Sequence, residues 1–134
     1  MSIRFNFKGS SICLVNCHLT PHDKMLNNRV ADYHSIIKAQ TFQKEKISSI
    51  LDHDLVFWFG DLNFRLDADS FTTNEIINHV SQDNLKPLLE KDELNETITN
   101  NKAFNGFSEC HINFKPTYKF VPSSQEYDRK YAIN

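Results

Sequence analysis

The residues best suited to chemistry follow an aromatic run. In Phe57-Trp58-Phe59-Gly60-Asp61-Leu62-Asn63-Phe64-Arg65 an apolar stretch stops abruptly at Gly-Asp-x-Asn. In an extended backbone Asp61 and Asn63 point to one side, roughly 7 Å apart at Cα. A carboxylate in that position can take a proton from water. A neighbouring carboxamide can donate to a phosphate oxygen without adding negative charge. The same pattern also suits an Asx turn, in which both side chains bond local backbone.

A second group lies at Asn16-Cys17-His18-Leu19-Thr20-Pro21-His22. His18 closes an apolar run on the same face as Asn16. An imidazole there can donate to a phosphoryl oxygen as charge grows in a transition state. It also suits a satisfied core histidine. Pro21 between the two histidines prevents a regular helical face, so the pair is not a zinc-protease helix. A third group is Phe114-Lys115-Pro116-Thr117-Tyr118-Lys119-Phe120, with Arg129 and Lys130 beyond it. Lys115, Lys119, Arg129 and Lys130 concentrate positive charge, and Tyr118 and Lys119 offer a hydroxyl and an ammonium to an anion, although a loop and strand with solvated lysines also fits.

Elements must position these groups. Ile3 to Phe7 alternates with polar residues, Lys8-Gly9-Ser10-Ser11 turns, and Ile12 to Leu19 is nearly continuous apolar sequence. This predicts a β-hairpin whose second strand is buried on both faces. Ile12, Leu14, Asn16 and His18 share one face of that strand, and Cys13, Val15, Cys17 and Leu19 the other. Tyr33, Ile36, Ile37, Ile47, Ile50 and Leu51 at three-and-four spacing predict a helix from about Asn28 to Asp52, with Phe42 off the stripe. Leu55 to Phe59 reads as a central buried strand. Ser70 to Asp83 reads as a helix capped by Thr72 or Thr73, with Ile76, Ile77 and Val80 inward. Leu85 to Ile98 reads as one or two short helices with Pro87 in the first turn. Ala103 to Phe120 reads as loops plus a strand. Strand, helix, strand at the centre implies an α/β layered domain.

Size and composition bound the function. The chain has 134 residues, 40% hydrophobic and 24% charged, which allows one compact domain and excludes a disordered tail. A net charge of −2 weakens any reading in which bulk electrostatics holds nucleic acid. The first residues alternate and do not read as a signal peptide. Three cysteines, Cys13, Cys17 and Cys110, are expected as free and mostly buried thiols in a reducing cytosol. Cys13, Cys17, His18 and His22 lack the separating loop of a zinc finger, so no metal ligand is assigned. The chain opens in a strand and ends on Ala132-Ile133-Asn134, and is expected to be a fragment of a larger domain.

Together the three groups resemble the inositol polyphosphate 5-phosphatases of the exonuclease III and DNase-I-like superfamily. The matching stretches are Asn16-Cys17-His18-Leu19 with Arg29 and Asp32-Tyr33, Trp58 to Arg65, Gly106-Phe107-Ser108-Glu109, and Phe114 to Phe120. The resemblance covers essentially the whole chain. It implies an α/β fold, part of a four-layer α/β/β/α sandwich (the endonuclease/exonuclease/phosphatase fold), with residues 1–134 a partial catalytic domain.

The resemblance implies that Asp61 orients or deprotonates the attacking water, Asn63 binds the scissile phosphate, and His18 donates to it in the transition state. Tyr118 and Lys119 would hold the adjacent 4-phosphate, and Arg65 would support the motif. The implied reaction is Mg²⁺-dependent removal of the 5-phosphate from phosphoinositides such as phosphatidylinositol 4,5-bisphosphate, or from soluble inositol polyphosphates. The implied setting is a cytoplasmic enzyme meeting membranes peripherally, with no nucleic-acid partner. The family's metal-binding Glu, its Pro-Ala-Trp-Cys-Asp-Arg string and its terminal Asp-His pair have no counterpart here, and Val30 stands where an Asn often follows Arg29. The piece alone is therefore expected to be inactive, with the main metal ligand elsewhere. A nuclease of the same superfamily and a truncated, non-catalytic binding domain are the alternatives.

Overall fold

A computed structural model describes residues 1–43, 47–67 and 69–129. The chain divides into two units, Met1–Asn63 and Phe64–Asn134.

The first unit is built on three strands: β1 (Ser2–Phe7), β2 (Ser10–His18) and β3 (Leu55–Asp61), in the order β1-β2-β3. Lys8 and Gly9, both at positive φ (46° and 89°), make the tight turn between β1 and β2, a conformation that matches the twist of the paired strands. β2 and β3 pair in parallel from Ile12↔Leu55 to His18↔Asp61, and the helix α1 (Leu26–Ala39) lies between them in sequence. A parallel pair requires such a crossover.

One face of the sheet carries the core. Cys13, Val15 and Ile50 are fully or almost fully buried, and Ile36, Ile37, Phe42, Val56 and Trp58 pack against them. Tyr33 of α1 meets Trp58 at 5.1 Å between ring centroids. Each fully buried branched aliphatic side chain here contributes about 1.5–3 kcal/mol.

Three expectations change. The helix runs over Leu26–Ala39 and not to Asp52. Phe42 leaves the helical stripe to pack on the core and meets His53 edge-on at 5.0 Å. Ile50 reaches the same core from a 3-10 turn, Ile50–Asp52, closed by a capping box between Ser49 and Asp52. Leu51 is exposed, and residues 44–46 of the expected helix lie outside the described residues.

The strand Leu55–Phe59 is an outer member of the described sheet, not a central one: Leu55, Phe57 and Phe59 are each about half exposed, and only its alternate residues pack inward. β2 is likewise buried on one face, at Ser11, Cys13 and Val15. The cause is that α1 covers only one side of the sheet.

In the second unit α2 (Thr73–Ser81) opens with a capping box between Thr72 and Glu75. It buries Ile76 and Val80 against Leu88 of α3 (Lys86–Leu89). α4 (Glu93–Thr99) is capped by Asp92, whose carboxylate accepts from Leu94 N at 3.0 Å. The expected strand within 103–120 is not formed. The segment is loop, with one isolated bridge, Phe120↔Tyr127. Pro116 cannot donate to a ladder, and the aromatic ring of Phe120 stacks on Tyr127 at 4.5 Å instead. The cysteines are free as expected, but Cys110 is exposed and Cys17 half-buried.

Gly60 has φ +121°, and a Cβ there would sit 2.0 Å from the Cys17 carbonyl oxygen. Gly60→Ala should cost at least about 1–3 kcal/mol and speed amide exchange at Leu19, whose N–H donates to Asp61 O at 2.9 Å. Unchanged exchange would contradict this.

Burial raises the Asp92 carboxyl above its usual range, and burial, then the charge of Asp92, raises Glu109. Both groups are protonated in either state well below pH 4, so folding is unopposed there. As pH rises the unfolded chain ionises first, and stability falls until the raised folded values are passed. Asp92→Asn keeps the cap acceptor and should flatten that decline as pH rises above the ordinary carboxylate range in denaturant titrations. Asp92→Ala should instead lose about 1 kcal/mol of capping.

Candidate active site

The parallel ladder decides where the first group lies. His18 and Asp61 are register partners at the ends of β2 and β3. Their side chains meet with Nε2 3.6 Å from Oδ2, and both are largely exposed, 70% and 65%. Ends of parallel strands are where open α/β sheets expose ligand-binding groups.

Asn63 joins them, but not through an extended backbone as expected. β3 ends at Asp61, and Asn63 adopts φ 56°. Its backbone N–H donates to Asp61 Oδ1 at 3.1 Å, an Asx turn. The turn swings the Asn63 carboxamide back toward the residue that follows β2, where Nδ2 donates to Leu19 O at 3.0 Å. The local-turn alternative and the grouping of Asp61 with Asn63 therefore hold together: the turn is what brings the amide next to the His18 end of β2.

The Gly60 backbone makes this closeness attainable, because any side chain there would strike Cys17 O and Asn16 Oδ1. Trp58 supports the same strand end, its indole N–H donating to Cys17 Sγ at 3.1 Å. The Cys17 thiol is raised by burial, against the lowering effect of that hydrogen bond. It stays a thiol and not a nucleophilic thiolate at neutral pH.

A cleft of about 480 Å³ opens beside His18, walled by Leu19, Thr20, Pro21, Asp32, Ser35 and Ile36. Two groups in its surroundings carry no assigned role from sequence. Asp32 Oδ2 accepts from Thr20 N at 2.8 Å and from Thr20 Oγ1 at 2.6 Å. The fully buried Arg29 donates from Nη1 to His22 O at 2.8 Å and Thr20 O at 3.4 Å. Their spacing, i and i+3 on a helix that follows the His18 strand, was the available sign. Which backbone atoms they reach is a tertiary fact.

The second unit holds the other three residues. Arg65 is half-buried, and its backbone exchanges two hydrogen bonds with Glu93: Arg65 N to Glu93 Oε2 at 3.0 Å, and Glu93 N to Arg65 O at 2.9 Å. Tyr118 is 58% exposed. Lys119 Nζ lies 3.6 Å from Asp128 Oδ2, and Asp128 N donates to Lys119 O at 2.9 Å. Tyr127 Oη donates to Pro116 O at 2.7 Å, which closes this loop on itself. The expected concentration of positive charge is reduced by pairing, since Lys115 Nζ also lies 3.1 Å from Asp83 Oδ1. Lys130 lies outside the described residues.

The residues present do not by themselves suit a magnesium ion. Mg²⁺ takes near-octahedral oxygen coordination. Among the described residues no three His, Cys, Asp or Glu side chains converge. At the strand ends Asp61 Oδ1 already accepts from Asn63, and in the cleft beside them Asp32 Oδ2 already accepts two bonds from Thr20.

Comparison with known proteins gives this arrangement its relatives. Residues 1–133 match the endonuclease/exonuclease/phosphatase family 2. The chain is 39% identical over 128 residues to human phosphatidylinositol 4,5-bisphosphate 5-phosphatase A, covering 96% of this chain and 12% of that protein. It is 36% identical to inositol-1,4,5-trisphosphate 5-phosphatase 1 of Schizosaccharomyces pombe, covering 96% and 11%.

Among solved structures, the inositol polyphosphate 5-phosphatase domain of SPsynaptojanin, in complex with inositol (1,4)-bisphosphate and calcium ion, superposes with a TM-score of 0.86 at 36% identity. The match covers 95% of this chain and 36% of that one. Cimex nitrophorin, solved as a ferrous NO complex, shares the architecture with a TM-score of 0.68 at 26% identity, over 98% of this chain and 43% of that one. The chain thus spans about one eighth of these curated relatives and just over a third of the synaptojanin domain. The resemblance to the 5-phosphatases read from the motifs is borne out, and the chain belongs to the endonuclease/exonuclease/phosphatase family 2.

Proposed function

We propose that the chain is part of the catalytic domain of a phosphoric monoester hydrolase that removes the 5-phosphate of phosphoinositides, phosphatidylinositol 4,5-bisphosphate among them, and of soluble inositol polyphosphates. The observation that carries this reading is the meeting of His18, Asp61 and Asn63 at the ends of two parallel strands. Names of the relatives support the substrate class.

In this reading Asp61 accepts the proton of the attacking water. His18 donates to a phosphoryl oxygen as charge develops, and Asn63 adds a neutral donor. Tyr118 and Lys119 bind the neighbouring 4-phosphate, which must draw Lys119 from Asp128. Arg65 closes the motif that carries Asp61 and Asn63 and supports it. Activity requires Mg²⁺, held mainly by a carboxylate beyond this chain, so the isolated piece is inactive.

The four-layer α/β/β/α arrangement is part of the same proposal. Its support is the bare apolar sheet face of Ile3, Phe5, Phe7, Leu55, Phe57 and Phe59, each 42–59% exposed. A second sheet from outside this chain would cover that face. The protein acts in the cytoplasm and meets membranes peripherally. No helix among the described residues is long and apolar enough to cross one.

A non-catalytic reading draws on one observation: the nitrophorin shares this architecture, and a fold does not determine a reaction. The full-length protein, assayed with Mg²⁺ for phosphate release from inositol 1,4,5-trisphosphate and for cleavage of a DNA duplex, separates the readings. Release from the inositol substrate, abolished by a chelator, is expected. Duplex cleavage alone would make the protein a nuclease, and neither activity would make it a binding domain.

Two substitutions test the roles. Asp61→Ala should lower turnover by about 10²–10⁴, and an unchanged rate would remove Asp61 from the mechanism. Lys119→Ala should weaken a 4,5-bisphosphorylated substrate far more than one bearing only the 5-phosphate. Equal loss on both would reject the 4-phosphate role.

A further inference from the structure

His18 is the last residue of β2, so its imidazole is aimed by the backbone that leaves the sheet. That backbone is held at every polar atom of the next two residues. Leu19 N donates to Asp61 O at 2.9 Å, and Leu19 O accepts from Asn63 Nδ2 at 3.0 Å. Thr20 N donates to Asp32 Oδ2 at 2.8 Å, and Thr20 O accepts from Arg29 Nη1 at 3.4 Å. The Thr20 hydroxyl adds a second bond to the same Asp32 oxygen at 2.6 Å. Arg29 Nη1 then reaches His22 O at 2.8 Å, at a residue with φ 77°.

The first pair of bonds comes from β3 and its turn, which already carry Asp61 and Asn63. The second pair comes from α1. Arg29 is 0% exposed and Asp32 borders the His18 cleft. Burying a guanidinium is costly unless its donors are used. Here Nη1 is used on a loop carbonyl two residues beyond the imidazole and on another four residues beyond it. A carboxylate that accepts both a backbone N–H and a hydroxyl from one residue is a charge-assisted, two-point grip. Such a grip limits rotation of the peptide as well as its displacement.

We propose that Asp32, backed by Arg29, is a positioning residue for His18: through Thr20 it sets the direction from which the imidazole faces the substrate. This rests on the hydrolase reading above. Asp32 does not touch the reacting atoms. Its effect is transmitted through the Thr20 peptide, and a displacement of the donor by about 1 Å is enough to cost about 10²-fold in rate.

The test uses the full-length protein with inositol 1,4,5-trisphosphate and Mg²⁺. Asp32→Ala should lower kcat about 10²-fold with KM within twofold of wild type. In a His18→Ala background the same substitution should cost little more, because its route to the chemistry is already gone. An equal loss in both backgrounds, or a loss in KM alone, overturns the proposal.

Thr20→Ser keeps both donors and should retain kcat, while Thr20→Val loses the hydroxyl and should lower it. This pair decides the matter if Asp32→Ala does not fold. Amide exchange over residues 18–22 gives a readout independent of turnover. It should quicken in Asp32→Ala and Thr20→Val but not in Thr20→Ser, and unchanged exchange refutes the grip. A wild-type protein that releases no phosphate refutes the hydrolase reading, and the exchange experiment then judges the positioning on its own.

Discussion

The parallel pairing of β2 with β3 is the constraint on which the candidate site depends. Seven register partners run from Ile12↔Leu55 to His18↔Asp61. A shift of one residue would reverse the facing of every side chain on the moved strand. It would take Trp58 from the core and separate the imidazole from the carboxylate. The core resists such a shift. Val56 and Trp58 pack beneath the sheet with Cys13, Val15 and Ile50, while Leu55, Phe57 and Phe59 stand on the other face. Ser11 adds a second lock at the far end, donating from N and Oγ to Asp54 Oδ2 at 2.7 and 2.8 Å. Those two bonds hold the Asp54 carboxyl below its usual range.

Chemistry and packing meet at Gly60. The strands approach so closely there that a side chain has no room. The gain is that two polar residues on adjacent strands stand 3.6 Å apart, Nε2 to Oδ2. The Asx turn after Asp61 then adds Asn63 without any further element. A site assembled this way needs few residues, because each strand end delivers one group and the turn delivers the third.

The two faces of the sheet have different physical status. α1, Phe42 and the 3-10 turn cover one, and their burial accounts for the core of the first unit. The other carries Ile3, Phe5, Phe7, Leu55, Phe57 and Phe59 at 42–59% exposure. Six large apolar side chains side by side on one face are the observation behind the second sheet proposed above. The chain spans just over a third of the synaptojanin domain it resembles.

Much was legible from residue order alone. Alternation and the Lys8-Gly9 turn define the hairpin, Thr72 and Glu75 define the start of α2, and Pro87 marks α3, because these depend on neighbours within a few positions. The strings around His18, Asp61 and Lys119 identify the family for the same reason: they are local. Periodicity alone overextended the first helix to Asp52, since Ile50 and Phe42 reach the core by routes no periodicity encodes. It also made Leu55–Phe59 a doubly buried strand, because an apolar run does not say which of its faces has a partner.

Only the tertiary structure decided that His18 stands opposite Asp61, that a turn and not a strand delivers Asn63, and that Arg29 and Asp32 grip the loop after His18. Each of these contacts joins residues that are brought together by strand register or by the docking of a helix. Register and docking minimise the free energy of the whole unit, and no short window of sequence contains that sum.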